Sequence, residues 1–167
     1  MRPVVSNTSP LTNLAAIGRF DLLRDLFGQI EIAEAVWDEL NANGRRWPGR
    51  DEVARAPWMR RHTPANRSLI MALMRDLDAG EAATIALAVE LNASPVLLDE
   101  RDGRHFAQRQ GLQPMGVIGV LLLAKQRGLL PRVRPCLDAL RTEAGFWLGD
   151  GIYTALLEQA GELGEER

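Results

Sequence analysis

The chain has 167 residues, 46% of them hydrophobic, with a formal net charge of −2 and an isoelectric point near 5.7. That length suits one globular domain with a sizeable core, and the acidic balance excludes a protein that coats nucleic acid through bulk positive charge, so any such contact has to be local. Cys136 is the only cysteine, which excludes an intrachain disulfide framework or a cysteine-rich zinc site. The longest apolar run, 117–124, falls far short of the roughly 20 residues that span a bilayer, and no signal peptide is read at the N-terminus. The expectation is a soluble, cytoplasmic protein with no membrane partner. Lys125 is the only lysine, and every other cation is arginine. Arginine suits bidentate phosphate contacts, although genome composition is the simpler source of the bias.

Residues 3–6 are a short β-branched run and read as a buried strand. Asn7, Thr8, Ser9 and Pro10 then turn the chain, with Ser9 a good N-cap and Pro10 a good first helical residue. Leu11, Leu14 and Ala15 give the following helix one apolar face, and Gly18 stops it. Residues 20–27 form another short helix and 29–32 a second strand. Residues 33–40 are helical: Val36 and Leu40 face the core, Ala33 and Trp37 share an adjoining strip, and the adjacent Asp38 and Glu39 cannot face the same way. Gly44 ends that helix, 45–48 is a loop, and 51–56 is a short helix before Pro57. Residues 58–63 make an edge strand at best, because Arg60 and Arg61 charge it.

The alanine-rich stretch 79–91 reads as a helix, 95–98 as a buried strand, and 99–110 as a helix closed by Gly111. Residues 112–115 give a final strand and 117–127 the most apolar helix, packed deep against the sheet. Residues 132–143 are amphipathic through Val133, Leu137 and Leu140; 146–148 is a short extended piece and 151–160 a last helix. One domain covers 1–160, and 161–167 is a frayed acidic tail. No internal repeat or low-complexity linker is present. Alternating strands and helices argue for an α/β fold, a three-layer α/β/α sandwich about a central, mainly parallel sheet.

The strand at 95–98 delivers Asp99, Glu100 and Asp102 to its C-terminal end, where open parallel sheets bind ligands. Glu39, Glu81, Asp99 and Asp102 are the acids expected to meet there, with Asn7 at the end of the first strand. Packed carboxylates repel one another, so a metal is the reason to assemble them. Mg²⁺ or Mn²⁺ takes oxygen ligands and keeps several waters. Plainer readings stand beside this one. Asp78 and Glu81 have the spacing of a capping arrangement, and Asp99 and Asp102 repeat it where acids favour a helix macrodipole. Glu39 alone reads as a solvated helix residue and Asn7 as a turn residue. His62 and His105 read as surface residues without zinc spacing, Cys136 as buried packing, and Trp37, Trp47, Trp58 and Trp147 as core or dimer surface. Arg45, Arg46, Arg50, Arg55, Arg60 and Arg61 form the densest basic region, either a solvated loop or a track for RNA phosphates.

Several pieces carry a family resemblance through their order and spacing: VVSNTSPL at 4–11, IAEAVWDEL at 32–40, GEAATIALAVEL at 80–91, LLDERDGR at 97–104, GVIGVLLLAKQRGLLP at 116–131 and GFWLGDGIY at 145–153. Together they resemble the PIN domain, a small metal-dependent nuclease fold, over nearly the whole chain, and most closely a prokaryotic PIN-like branch. The resemblance places the family's first acid on Asn7, its second on Glu39, its third on Glu81 and its last pair on Asp99 and Asp102, with the hydroxyls of Thr8 and Ser9 beside the first. It implies Mg²⁺ or Mn²⁺ as cofactor and hydrolysis of RNA phosphodiesters, often by toxins of VapC-like toxin–antitoxin pairs. A cognate antitoxin and a homodimer follow by the same analogy, and Arg45, Arg46, Arg60 and Arg61 are the RNA contacts that the basic region offers. Apolar surface on the helices after Gly116, with Trp147, also points to a homodimer.

Asn7 departs from the pattern, since the family usually has aspartate there; its amide oxygen can ligate a metal but adds no charge. The alternative is therefore a catalytically weakened PIN-like binding module. A phosphate-handling switch or phosphatase ranks last, because it needs an aspartate after the first strand and a lysine near a late strand end. Neither a G-x-G-x-x-G nor a G-x-x-x-x-G-K-[ST] motif is present for a dinucleotide or ATP.

Overall fold

A computed structural model describes residues 1–44 and 46–164, Asn43 by its backbone alone. The chain runs β1 (Val5–Ser6), α1 (Thr8–Ala16), α2 (Leu22–Phe27), β2 (Ile30–Ala33), α3 (Glu34–Leu40), α4 (Arg50–Arg55), β3 (Met59–His62), α5 (Arg67–Leu73), α6 (Ala79–Leu91), β4 (Val96–Leu97), α7 (Arg101–Arg109), β5 (Pro114–Met115), α8 (Val117–Gln126), α9 (Arg134–Thr142) and α10 (Asp150–Gln159). The strands form one parallel sheet in the order β3-β2-β1-β4-β5, with Val5 opposite both Glu31 and Val96. Pairing runs past the formal strand ends. Ser94 N–H donates to Pro3 O and Leu98 N–H to Met115 O, which is the extent read from the sequence for the first strand and for 95–98.

Alternation along each strand builds two apolar cores, one per face. Val4, Ile30, Ile32 and Leu97 point to a core closed by α1, α2, α8 and α9. Val5, Ala33, Val96 and Leu98 point the other way, onto α6 with α5 and α7 outside it. The result is a three-layer α/β/α sandwich. Residues 80–88 of α6 are all buried, as expected of a helix apolar all round. Its alanines let the helix lie close to the sheet, and Asp78 caps it by accepting from Glu81 N–H at 2.8 Å. Among the described residues no helix is long and apolar enough to cross a membrane.

Three local expectations need correction. Helix α1 starts at Thr8 with Asn7, not Ser9, at its N-cap position, and Asn7 makes no side-chain cap bond; the Asn7 and Ser9 side chains bond elsewhere. Helix α5 is unanticipated. Its signals are Asn66, which accepts from Leu69 N–H at 3.1 Å, and the apolar spacing of Leu69, Ile70 and Leu73. Outside these corrections, the piece at 146–148 joins no strand, and Phe146 and Leu148 pack on the core while Trp147 stays 83% exposed. The tail does not fray from Gly161. Glu162 is fully buried, accepting from Val133 N–H at 2.7 Å, Arg134 N–H at 3.1 Å and Lys125 Nζ at 2.9 Å. Residues 165–167 lie outside the described residues.

Candidate functional site

Parallel strands put their C-terminal ends on one edge, and the chain leaves that edge at Asn7, at the start of α3, and at Asp99 and Glu100. The N-terminus of α6 meets it from the side, carrying Glu81 in its first turn. Glu39 reaches from α3 to this helix end, where Thr8 Oγ1 and the Gly80 N–H donate to its carboxylate. An added Cβ at Gly80 would stand 2.1 Å from Glu39 Oε1, so the approach depends on glycine. Glu81 is 8% exposed, and a Cβ at Gly103 on α7 would stand 3.5 Å from its Oε2. Glu100 Oε1 accepts from Ser9 Oγ at 2.5 Å. The two hydroxyls next to Asn7 thus each orient a carboxylate.

Asp99 sits beside the cluster and is engaged on both oxygens. Oδ1 accepts from Val117 N–H at 2.7 Å and Oδ2 from Asn13 Nδ2 at 3.2 Å. A Cβ at Gly116 would stand 2.9 Å from Oδ1. Asn7 is 3% exposed, and its Oδ1 accepts a long bond of 3.4 Å from Thr84 Oγ1, one turn after Glu81. Asp102 is exposed on the first turn of α7, and it is not among the principal charges acting on Glu39, Glu81 or Asp99.

Electrostatics describe the crowding. Burial, and then the charges of Asp78, Glu100 and Glu39, push the Glu81 carboxyl up to about 7. Burial also raises Glu39, opposed by the Thr8 hydroxyl and helped by Asp78. Asp99 is raised by burial, against the Val117 N–H, Asn13 and the nearby Arg104. Among the described residues no arginine or lysine forms an ion pair with Glu39, Asp78, Glu81 or Glu100. The charge of Glu39 acts on Glu81, and those of Asp78 and Glu100 act on both. Asp78 also caps α6. The signal for Glu100 was its position directly after Asp99 at a strand end.

Other candidates fall elsewhere. Arg46 and Arg60 are exposed, and Arg45 lies outside the described residues. Arg61 lies over the Trp37 ring at 4.6 Å and reaches Glu34 at 4.0 Å. His62 is not a free surface residue: its Nε2 is 2.7 Å from buried Glu31 Oε2. Cys136 is buried packing. Lys125 lies on α8, where it binds the Ala160 carbonyl and Glu162. The sequence reading missed a cleft of about 330 Å³ lined by Asp99, Arg101, Arg104, His105 and Gln108. A larger cleft of about 510 Å³, lined by Val4, Leu26, Pro95, Met115 and others, opens at the opposite ends of the strands and holds no acid.

The donor chemistry at the carboxylate edge fits a hard divalent cation, since it is all oxygen, crowded and without a cation of its own. Among the described residues, however, no group of three or more His, Cys, Asp or Glu side chains stands ready to hold a metal ion. The acids gather at one edge of the sheet without forming a closed cage. In comparison with known proteins, a family model described as PIN domain matches residues 3–162. No curated protein and no solved structure gives a significant match.

Proposed function

The chain belongs to the PIN-domain family, whose fold is of nuclease type, and from that premise we propose that it is a Mg²⁺- or Mn²⁺-dependent endoribonuclease. The observation that supports this most is the convergence of Glu39, Glu81, Asp78 and Glu100 without a compensating cation at the edge where parallel sheets take ligands. Glu39, Glu81 and Asp99 would hold the ion. When bound, such an ion activates water and stabilises charge on the phosphate.

The chain's own residues have separate tasks. Thr8 and Gly80 hold the Glu39 carboxylate in place. Glu81, pushed up to about 7, suits holding or releasing a proton near neutral pH. Arg101 and Arg104 line the cleft beside Asp99, and in this reading they would meet the phosphates flanking the scissile one. Asp99 fixes the first turn of α8 to the sheet edge.

Within this reading the chain acts as the toxin of a toxin–antitoxin pair, with a small antitoxin as partner and a homodimer as assembly. The apolar side chains of Trp147 (83% exposed) and Ile152 (54%) support a protein-covered surface. The test is cleavage of a 5′-labelled RNA by the full chain with Mn²⁺, with Mg²⁺ and with chelator, beside Glu81→Gln. Metal-dependent cleavage that Glu81→Gln abolishes supports the reading; no cleavage of any RNA with either metal removes it. The bond from Thr84 to Asn7 favours one second reading, a binding module that takes RNA or protein without cutting. That reading predicts RNA retention in a filter assay with no product.

A further inference from the structure

Strand β3 lies at one edge of the five-stranded sheet, and half of its backbone faces away from β2. Trp58 O accepts from Ile30 N–H at 3.0 Å, and Ile30 and Ile32 stand opposite Met59 and Arg61. In a parallel ladder a residue bonds to the neighbour on one side, and the next residue turns to the other. Trp58, Arg60 and His62 therefore direct their backbone groups to β2, and Met59 and Arg61 direct theirs outward. Met59 N–H is taken by the turn, where it donates to Ala56 O at 3.1 Å. Among the described residues, the Met59 carbonyl and the N–H and C=O of Arg61 have no hydrogen-bond partner. Unpaired groups in such a row are a template for another chain. We propose that the outer edge of β3 docks an extended acidic segment of a partner protein, which joins the sheet as a further strand.

Charge and shape give the occupant its chemistry. Arg60 is exposed and has no ion pair among the described residues. Arg61 is exposed too, on the opposite face of the strand, so each face of this edge carries one cation. A second copy of β3 paired here would set arginine against arginine, which is destabilising. A strand carrying carboxylates instead meets a cation on either face. The same arginines repel a cationic strand, which makes the edge selective. Met59 and Arg61 share the face of Ile30 and Ile32. There they border a cavity of about 320 Å³ whose other walls are Trp37, Val53, Ala54 and Ala56. Side chains of an added strand alternate like those of β3, and an apolar one suits this cavity. A phosphate backbone has no use for such walls, and the Arg61 guanidinium is already spread over Trp37 at 4.6 Å. These features favour a peptide over RNA at this edge. Main-chain bonds then supply affinity and the cavity supplies selectivity.

The probe is a short fluorescein-labelled peptide that alternates glutamate with valine, titrated with the full chain and read by anisotropy. Binding is expected. The same peptide N-methylated on alternate amides keeps every side chain and should bind about tenfold more weakly or worse. Replacing its glutamates by lysine should abolish binding. Arg60→Glu should weaken the parent peptide about tenfold and admit the lysine peptide. Arg61→Pro removes an N–H that β2 does not use, a change an edge strand tolerates. It should bind the peptide more weakly than Arg61→Ala, which keeps that N–H. Melts of the variants check folding, and the N-methylated peptide decides the same point on the wild type. A wild type that takes up no acidic peptide overturns the proposal. Equal binding of the parent and N-methylated peptides reduces the contact to charge and overturns it as well. If a 5′-labelled RNA binds, the peptide does not, and Arg60→Glu weakens the RNA, the edge is an RNA track and the proposal falls.

Discussion

Gly80 and Glu39 are in such close contact that a Cβ on Gly80 would stand 2.1 Å from Glu39 Oε1. A glycine in the middle of a helix weakens it by roughly 0.5–1 kcal/mol relative to alanine and one in the first turn, like Gly80, by less, so Gly80→Ala should not weaken α6 itself. The obstacle is the end of a flexible side chain, which can swing aside. Gly80→Ala is therefore expected to melt close to or above the wild type without metal. It should bind Mn²⁺ several-fold more weakly, because Glu39 is displaced. A melt combined with Mn²⁺ titration checks both halves, and unchanged affinity would show that Glu39 holds no ion.

The raised carboxyl of Glu81 sets a pH dependence with a definite sign. Its folded value of about 7 lies above the ordinary 4.5, so the folded state holds its proton more tightly than the unfolded state. The associated stability is fully present below pH 4.5 and is lost as pH rises through 7. The metal-free protein should melt roughly 5 °C or more lower at pH 8 than at pH 5 on this account, and Glu81→Gln should flatten that slope. Mn²⁺ affinity should run the opposite way, weakening as pH falls below about 7, because ion binding has to displace the proton.

Asn7→Asp introduces a carboxylate at a position 3% exposed, beside Thr84 and one turn from Glu81. Without metal the added charge is buried against like charges, so the melting temperature should fall. Saturating Mn²⁺ should restore it and bind more tightly than in the wild type. A nuclease gains cleavage rate in the same variant, whereas a binding module gains affinity for metal and no product. If neither metal affinity nor cleavage rises, Asn7 is not at the metal position.

Glu162 anchors the end of the described chain. Burial alone would raise its carboxyl, but Lys125 and the N–H groups of Val133 and Arg134 outweigh that and hold it below the usual range. Glu162→Ala leaves Lys125 and two N–H donors without this acceptor, and should destabilise the fold by about 3 kcal/mol in urea titration. Stability from this group is present above pH 4.5 and lost as pH falls through its lower folded value.

Arg104→Ala should weaken RNA binding uniformly across sequences and reduce the salt slope by about one. Loss of the guanidinium also removes one of the influences that lower the Asp99 carboxyl. Binding isotherms at several salt concentrations check the slope, and an unchanged slope would show that the cleft beside Asp99 does not take phosphate.

Periodicity and punctuation determined the element order in advance, α5 excepted. Alternation between helices and β-branched runs required a parallel sheet. The extent of α6 was legible because its alanines, Asp78 before it and the polar Asn92 after it agree at every level. Glu39 and Glu81 were legible as site candidates because each lies at an element end that a parallel sheet brings to one edge. What each side chain does there was decided only by tertiary structure. Asn7 lies against Thr84, Ser9 binds Glu100, and Asp99 spends its oxygens on Val117 and Asn13, partners between 18 and 91 residues away. Glu162, too, read as tail because its partners lie 28 to 37 residues upstream. Local propensity depends on the nearest few residues, whereas hydrogen-bond choice at a sheet edge depends on which donors the fold brings within 3 Å.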